Sequence, residues 1–439
     1  MAGPASDPFY YLQAQKTFPV PNNFLEFSAI LTALSPNDVY LQISSFNSTA
    51  NSTHLHQYTF LNEGLTASLP GAGIVSFDFD ESAQTAAAVV QLDVADSSFL
   101  CAARTSLHEL QNEITSLASV MGYGFGIPPQ CTLKSSNATV RSTLMNSNIA
   151  VFALFNDTDL VWGGVSNALQ QWAFSMAVVP GSVFLDAVAG NANLGLFAFH
   201  SNSGDVFIQT VLPESGSVLN GQQYSLLPPV NAADLLTIEI SVDANNVLYV
   251  LYLSSGFSQL DVYQLYTNSA PSFIATGAPG TGPFTQAPFL KVNKRGVDAY
   301  VFSQLPAGYE LLHAGVLVSS STLGKPTSSV ISAGINQADT GLAVLYGDAV
   351  GGLFALFQCG ASPARVEKNI QKFNVDPVHL EVDVMHTGLA AISNKCDYQG
   401  HGAFFGIPFT SVYELFVIAQ SPPSVLSKPA RPRNRKGHH

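Results

Sequence analysis

Apolar and polar positions follow one pattern that returns along the whole chain. Each unit begins with a segment of alternating apolar and polar residues, such as LTIEISV or VHLEVDV. A short turn of Asn, Asp, Gly or Lys follows, and then a continuous apolar run. After a second turn comes a further apolar or alternating run, such as LFALFQC. Runs of this length and periodicity, bounded by turn residues, predict β-strands.

The apolar runs show how regular the repeat is. They begin at Val39, near Ala87, and at Ile149, Leu194, Val247, Val297, Leu342 and Leu389. The intervals between these positions are 48, 62, 45, 53, 50, 45 and 47 residues. A unit of this length with three or four antiparallel strands has the size of one propeller blade. The later run Tyr309–Val318 (YELLHAGVLV) is expected to form one strand of its unit.

On this period and strand texture, residues 24–420 resemble β-propellers in general. The resemblance implies an all-β fold in which blades stack around an axis, and ring closure removes most exposed sheet edges. Eight blades are expected, with seven blades and one irregular hairpin as the alternative. Residues 1–23 form an N-terminal segment whose FYYLQAQ stretch would pair with YELFVIA and close the ring.

The 62-residue interval contains an apolar stripe with helical spacing. Its positions are separated by three or four residues, which is the pattern of an amphipathic helix. The stripe consists of Leu100, Ala103, Leu107, Leu110, Ile114, Leu117 and Met121. Asp96, Ser97 or Ser98 could cap the start, and Gly122 could end the helix. The sequence therefore predicts a helical insertion at about residues 97–122, packed on the propeller itself or forming an interface with a partner helix or a second copy.

Charge is scarce and unevenly distributed. Charged residues make up 11% of the chain and apolar residues 47%, whereas a typical soluble domain has roughly 25% charged residues. Residues 421–439 form a basic, proline-interrupted tail that contains Lys428, Arg431, Arg433, Arg435 and Lys436. The other residues carry 12 basic and 30 acidic side chains, a net charge of −18.

These charges bear on the choice of partners. An acidic body repels nucleic acid and anionic lipid, so we expect neither as a partner. No apolar run is long enough to span a bilayer. The tail would bind an acidic surface, such as a neighbouring copy, or an anionic polysaccharide, or would serve only solubility.

Cysteines and glycosylation sequons favour a secreted or surface-displayed protein, with an intracellular particle component as the alternative. An even number of cysteines permits disulfide bonds, and the shorter loops favour Cys101 with Cys131 and Cys359 with Cys396. Four sequons, at Asn47, Asn51, Asn137 and Asn156, are candidate glycan acceptors.

Candidate catalytic and metal-binding residues are few. Asp78, Asp80 and Glu81 could contribute to a calcium site, but calcium needs six to eight oxygens, so a solvated strand end is expected. Acids in the central tunnel could hydrolyse a glycoside, and the candidates are Asp157, Asp159 and Asp186. A tyrosine cluster could stack on neutral sugars or pack in a blade, and it comprises Tyr249, Tyr252, Tyr263 and Tyr266. No motif predicts a cofactor or a metal.

The pattern as a whole favours a non-enzymatic propeller. It would act as a protein-interaction or structural component of an extracellular, surface or particle-associated assembly. Partner protein or self-association would involve the helical insertion and the basic tail. A carbohydrate-binding propeller is the alternative, and a glycoside hydrolase or lyase that uses tunnel acids is the second alternative.

Overall fold

The structure is a computed structural model. It describes residues 10–19, 24–35, 38–47, 52–59, 64–80, 85–106, 109–134, 139–146, 149–156, 159–166, 171–176, 183–200, 206–214, 217–220, 223–226, 235–254, 258–266, 269–277, 288–303, 306–324, 326–335, 341–347, 353–359, 365–369, 388–393, 400–406 and 412–420. Side chains are described in part of these ranges.

The described residues form eight antiparallel sheets, numbered here as sheets 1 to 8 along the chain. The first strand, β1 (Tyr10–Pro19), belongs to sheet 8. Sheet 1 contains β2 (Phe24–Ser35), β3 (Asp38–Asn47), β4 (Ser52–Thr59) and β5 (Gly64–Pro70). Sheet 2 contains β6 (Ala72–Asp80), β7 (Thr85–Val94), β8 (Ser97–Ser106) and β9 (Cys131–Leu133), with helix α1 (Leu110–Gly122) between the last two. Sheet 3 contains β10 (Thr139–Asn146), β11 (Ile149–Asn156), β12 (Asp159–Ser166) and β13 (Gln171–Met176).

The remaining sheets repeat this order. Sheet 4 contains β14 (Val183–Gly190), β15 (Gly195–His200) and β16 (Val206–Glu214), and β16 pairs with both β17 (Ser217–Asn220) and β18 (Gln223–Leu226). Sheet 5 contains β19 (Leu235–Val242), β20 (Val247–Ser254), β21 (Ser258–Gln264) and β22 (Ser272–Gly277). Sheet 6 contains β23 (Phe289–Val292), β24 (Asp298–Ser303), β25 (Gly308–His313) and β26 (Val316–Thr322). Sheet 7 contains β27 (Ser329–Ile335), β28 (Gly341–Gly347), β29 (Leu353–Cys359) and β30 (Arg365–Asn369). Sheet 8 contains β31 (Gly388–Ser393), β32 (Gly400–Gly406), β33 (Val412–Gln420) and β1.

The sheets are arranged as a ring. The first described strand of each sheet contacts that of the next, from β2 through β6, β10, β14, β19, β23 and β27 to β31. Strand β31 in turn contacts β2, and β1 pairs antiparallel with β33, so the first and last described strands of the chain meet in sheet 8. Antiparallel sheets of this size around a closed ring form a β-propeller. The number of blades stays a prediction, because parts of the chain lie outside the described residues.

Most continuous apolar runs lie on second strands, and β7 shows how such a strand is buried on both faces. In β7, Ala86 and Ala88 pack in one core with Leu55 of sheet 1, whereas Ala87 and Val89 pack in another core with residues of sheet 3. Successive side chains of a strand point to opposite faces, so one strand contributes to two cores. This double burial explains why the repeat has uninterrupted apolar stretches instead of alternation.

The expected single strand Tyr309–Val318 is wrong. The structure divides it into β25 and β26, which are joined by a two-residue turn at Ala314 and Gly315. Both turn residues have positive φ, 49° and 82°, as tight hairpin turns require. A Cβ on Gly315 would lie 2.9 Å from Cγ1 of Val262 in sheet 5, so glycine is also required for close packing.

The helical insertion is shorter than predicted, and the interpretation of its stripe as a partner-helix interface is wrong. Residues Ser97–Ser106 form β8, which pairs with β7 along its whole length, and this pairing overrides the helical spacing. Leu100 and Ala103 therefore pack in different cores on opposite faces of β8. Leu107 lies outside the described residues. The stripe residues that do lie on α1 are buried against the chain's own sheet, and they are Leu110, Ile114, Leu117 and Met121.

A disulfide bond joins Cys101 of β8 to Cys131 of β9, with a Cα–Cα distance of 4.1 Å. It closes the segment that contains α1, so the helix and the loop after it are held to sheet 2 at both ends. Cys359 lies on β29, and Cys396 lies outside the described residues, so their pairing stays a prediction. Among the described residues, no helix has the length and apolar character needed to cross a lipid bilayer.

Candidate functional site

Polar residues between the first and second strands of sheets 4, 5 and 6 stabilise the turns there. Asn191, Asp243 and Asn293 follow the first strands of sheets 4, 5 and 6. A side-chain oxygen of each accepts two backbone N–H hydrogen bonds from residues two to four positions later, at 2.8–2.9 Å. Asn and Asp commonly stabilise tight turns in this way. The recurring polar residues of the repeat therefore have a structural role in these three sheets.

One ion pair joins two sheets that are four positions apart in the ring. Nζ of Lys294, in the turn after β23, lies 2.6 Å from Oδ2 of Asp78 on β6. The same oxygen accepts hydrogen bonds from the Leu144 backbone N–H at 2.7 Å and the Thr143 hydroxyl at 3.0 Å. Asp78 is thus not the solvated strand end that the sequence suggested. Its charge is compensated by a lysine that no local pattern connects with it.

Glu239 of β19 is a partly buried carboxyl group at the contact between sheets 5 and 6. Its Oε2 accepts a hydrogen bond from the backbone N–H of Leu290 on β23 at 3.0 Å. Burial raises the pKa of the Glu239 carboxyl group to about 7, although the charge of Lys291 and this hydrogen bond act in the opposite direction. No motif in the sequence marks this residue, and the only signal is a charged position within LTIEISV.

Replacing Glu239 with glutamine is expected to change how stability depends on pH. The unfolded carboxyl group releases its proton near pH 4.5 and the folded one near pH 7, so wild-type stability falls as pH rises between these values. Glutamine does not titrate, so the variant should gain stability relative to wild type over this range, by at most about 3 kcal/mol. Urea unfolding from pH 5 to 8 measures the difference. Glu109→Gln, an exposed acid before α1, corrects for net charge, and parallel wild-type and Glu239→Gln curves would contradict the assignment.

The tyrosine cluster is divided between core and surface. Tyr249, Tyr252 and Tyr263 are buried in sheet 5, and only Tyr266 is exposed. The Tyr249 hydroxyl donates to Oδ2 of Asp243 at 3.3 Å and accepts the Gly315 backbone N–H at 3.0 Å. Burial raises the pKa of the Tyr249 hydroxyl well above its usual value. These rings pack between blades, so three of the four do not offer a face to a sugar.

The predicted tunnel acids occupy different positions in their sheets. Asp159 begins β12, the third strand of sheet 3, whereas Asp186 lies on β14, the first strand of sheet 4. In a sheet, the third strand lies two strand spacings, roughly 10 Å, from the first strand. The first strands surround the central tunnel, so Asp159 on a third strand does not line it. Asp157 lies outside the described residues. Within the described ranges, no group of three or more His, Cys, Asp or Glu side chains could hold a metal ion.

The other predicted sites lie at strand ends or outside the described residues. Asn47 ends β3 and Asn156 ends β11, each next to the connection to the third strand of its sheet. Asn51, Asn137 and the basic tail from Lys428 to Lys436 fall outside the described residues. Glycan attachment and the binding role of the tail therefore stay predictions.

A surface that the sequence analysis missed follows α1. Tyr123, Phe125 and Ile127 are exposed to 79%, 80% and 58%, and we call residues 123–127 the apolar loop. Gly124 and Gly126 alternate with these side chains, have φ of 75° and 104°, and have no atom within 4 Å of a Cβ position. Glycine permits this backbone at no steric cost. The signal available in the sequence was the YGFGI motif, in which glycines alternate with large apolar residues. Glycines have no side chain that could cover their apolar neighbours.

The apolar loop is anchored at both ends. The Tyr123 N–H donates to the Ser119 carbonyl at 3.0 Å, and the Phe125 N–H donates to the Val120 carbonyl at 3.3 Å. Cys131, a few residues later, is fixed to β8 by the disulfide bond. Beside Tyr123, a groove of about 370 Å³ runs between α1 and the β5–β6 turn, and its apolar lining includes Leu69, Pro70, Ile114 and Ala118.

Comparison with known proteins gives similarity of fold only. No protein-family model matches the chain. No curated protein matches it. Among solved structures, the WD40 domain of SCAP from fission yeast is 10% identical, with a TM-score of 0.42 over 93% of this chain and 98% of that domain. The β-propeller domain of the Trilobed protease from Pyrococcus furiosus is 10% identical, with a TM-score of 0.41 over 80% of this chain and 98% of that domain.

Enzymes that contain additional sequence also match. Prolyl oligopeptidase B from Galerina marginata is 9% identical, with a TM-score of 0.42 over 75% of this chain and 46% of that protein. The chain spans about half the length of the prolyl oligopeptidases that it matches. The strand order within the sheets and the ring of contacts between them show that the chain is a β-propeller.

Proposed function

We propose that this protein is a non-enzymatic β-propeller that binds a partner protein through the apolar loop and thereby acts as a structural component of an assembly. The observation that supports this most is the exposure of Tyr123, Phe125 and Ile127 on an anchored loop. Large apolar side chains exposed together mark interaction sites more often than isolated ones do.

The energetics of the apolar loop favour a protein partner. Full burial of each of its three apolar side chains would contribute roughly 1.5–3 kcal/mol. Aromatic residues that fill a pocket on the partner dominate many interfaces. Because the helix hydrogen bonds and the disulfide bond already hold the loop, binding would order little additional chain. The groove beside Tyr123 would accept an apolar group from the partner.

The charge of the chain suggests what surrounds the partner's pocket. The body outside the tail has a net charge of −18, and Asp96 and Glu109 are exposed directly before β8 and α1. A partner with basic residues at the rim of its pocket would be attracted and correctly oriented. The disulfide bond is compatible with an oxidising compartment, which supports the proposal that the protein acts outside the cell or on a surface.

Carbohydrate binding and glycoside hydrolysis have less support. The sugar-binding hypothesis depended on tyrosines that are mostly buried. The hydrolase hypothesis depended on tunnel acids, and the two that the structure describes lie on strands at different positions in their sheets. Asp159 is on a third strand and Asp186 on a first strand. Neither hypothesis gains a specific observation from the described residues.

Cross-linking of the protein in its native source should test this function. Wild type, Tyr123→Ser/Phe125→Ser and the control Val75→Ser would each be purified with their cross-linked proteins. Val75 is an exposed apolar residue outside the apolar loop. Mass spectrometry would identify and quantify the captured proteins. We expect one protein to be captured by wild type and the control and to fall at least tenfold with the double variant. The purified partner should then lose at least tenfold in affinity for the double variant in calorimetry.

Two outcomes would overturn the proposal. One is that wild type and the double variant capture the same proteins to the same extent. The other is binding to a glycan array that a free sugar inhibits at sub-millimolar concentration, which would favour the carbohydrate-binding alternative. Thermal unfolding of each variant shows whether a loss of binding is a loss of folding.

A further inference from the structure

A second apolar surface includes the outermost strands of sheets 5 and 6 and Tyr266, which lies between β21 and β22. Its members are exposed by 39% to 62%, and we call them the outer-strand surface. They are Tyr266, Phe273, Ile274, Val316, Leu317 and Val318. Strands β22 (SFIATG) and β26 (VLVSSST) contain no charged residue.

The two strands adjoin where the turn before β26 meets β22. Gly315, directly before β26, packs on sheet 5, where its backbone N–H donates to the Tyr249 hydroxyl. A Cβ at Gly315 would lie 3.6 Å from Cδ1 of Ile274 on β22. Phe273 packs edge-on against Tyr263, with ring centroids 5.6 Å apart. These contacts hold Phe273 and the turn before β26 to sheet 5 before any partner binds.

Bulges make simple strand addition unfavourable at both edges. Tyr263 pairs with Phe273 and Val262 with Ala275, so Ile274 has no opposite residue. In β26, the register shift between Leu311 and Leu312 likewise leaves Val318 without an opposite residue. Bulges twist an edge strand and interrupt its hydrogen-bonding pattern. Contact through the apolar side chains is thus favoured over a continuous intermolecular sheet.

We infer that this surface binds a second copy of the same chain about a two-fold axis. The chain carries a net charge of −13, so two copies repel each other least where charge is absent, as it is on these strands. A basic partner would gain nothing from an uncharged surface, whereas a second copy requires one. A two-fold axis places the same surface of each copy at the interface. Uncharged apolar side chains of one copy can pack against the same side chains of the other copy without charge repulsion.

The apolar surface together with its polar neighbours approaches the size of a standard interface. The six exposed side chains present about 600 Å² per copy, judged from their exposed fractions and typical side-chain areas. Standard interfaces bury roughly 800 Å² per partner, with an apolar core and a polar rim. Exposed neighbours on the same strands would supply that rim, and they are Thr276, Ser319, Ser320 and Thr322.

Light scattering coupled to size exclusion tests the dimer. The full chain has a mass of 46.5 kDa, and wild type should elute with twice its monomer mass at micromolar concentration. Leu317→Glu places two like charges in the interface and should give a monomer. Leu133→Glu is the matched control, because Leu133 is exposed to 54%, close to the 56% of Leu317, and also lies on the outermost strand of its sheet. That variant should remain a dimer.

Hydrogen exchange provides a second measurement that needs no substitution. Amides of residues 316–322 in wild type should exchange more slowly at high than at low protein concentration. A wild-type monomer at about 100 μM, an Leu317→Glu variant that stays dimeric, or exchange in β26 that does not depend on concentration would each overturn the proposal. The apolar-loop variants should remain dimeric, so this result is independent of the partner-binding test.

Discussion

Removing the disulfide bond by Cys101→Ala/Cys131→Ser is expected to lower the free energy of unfolding by about 3.5 kcal/mol. The bond spans 30 residues, and without it the unfolded chain gains the conformational freedom of that loop. Alanine is chosen at position 101 because Cys101 is fully buried, and a serine hydroxyl there would add a desolvation cost. Urea unfolding monitored by circular dichroism measures the change.

The disulfide prediction has an internal control. Wild type unfolded in excess reducing agent should approach the stability of the double variant, and the variant itself should not respond to the reductant. Because the same bond anchors the apolar loop, the variant should also bind the partner more weakly at temperatures where it remains folded. A variant as stable as wild type in oxidising buffer would contradict the expected role of the bond.

Asp78→Ala is expected to destabilise the ring by about 2–3 kcal/mol. The substitution removes the acceptor of the Lys294 ammonium, the Leu144 N–H and the Thr143 hydroxyl in one step. Both ion-pair side chains are mostly shielded, with 29% and 21% exposed, so the loss is larger than that of a surface salt bridge. The change should appear as a lower urea midpoint.

A double-mutant cycle separates the ion pair from the other contacts of Asp78. Asp78→Asn retains a side-chain acceptor and removes the charge, and Lys294→Met removes the ammonium but retains most of the apolar stem. The two substitutions together should cost less than the sum of their single effects, because they remove the same interaction. Additive effects would show that Lys294 and Asp78 are not coupled in solution. Asp96→Asn, an exposed acid in the turn before β8, is the control for net charge.

Much of the fold was predictable because its determinants are local. Seven of the eight apolar runs begin in, or directly before, the second strand of a sheet. The exception, Leu389, lies on β31, the first described strand of sheet 8, and the expected preceding strand VHLEVDV lies outside the described residues. The polar turns at Asn191, Asp243 and Asn293 also sit where the pattern predicted. Strand periodicity and turn chemistry act over a few residues, so a single sequence reveals them.

The errors arose where long-range packing decided between local alternatives. The stripe from Leu100 to Met121 had helical spacing throughout, yet pairing with β7 made its first part a strand. The YELLHAGVLV run is apolar enough for one strand, but Gly315 packs against sheet 5 and turns the chain. In both cases the contact that decides lies in another strand or sheet, which local spacing does not identify.

By itself, the sequence determined that the chain forms repeated antiparallel strands with polar turns, and that this repeat is a propeller. Only the tertiary structure decided that Lys294 meets Asp78 across the ring, that the α1 stripe is buried, and that YGFGI and VLV remain exposed. The physical reason is that apolar residues look alike in a sequence whether or not a neighbouring sheet covers them. Which of them stay in contact with water depends on how the ring closes, and that is a property of the whole chain.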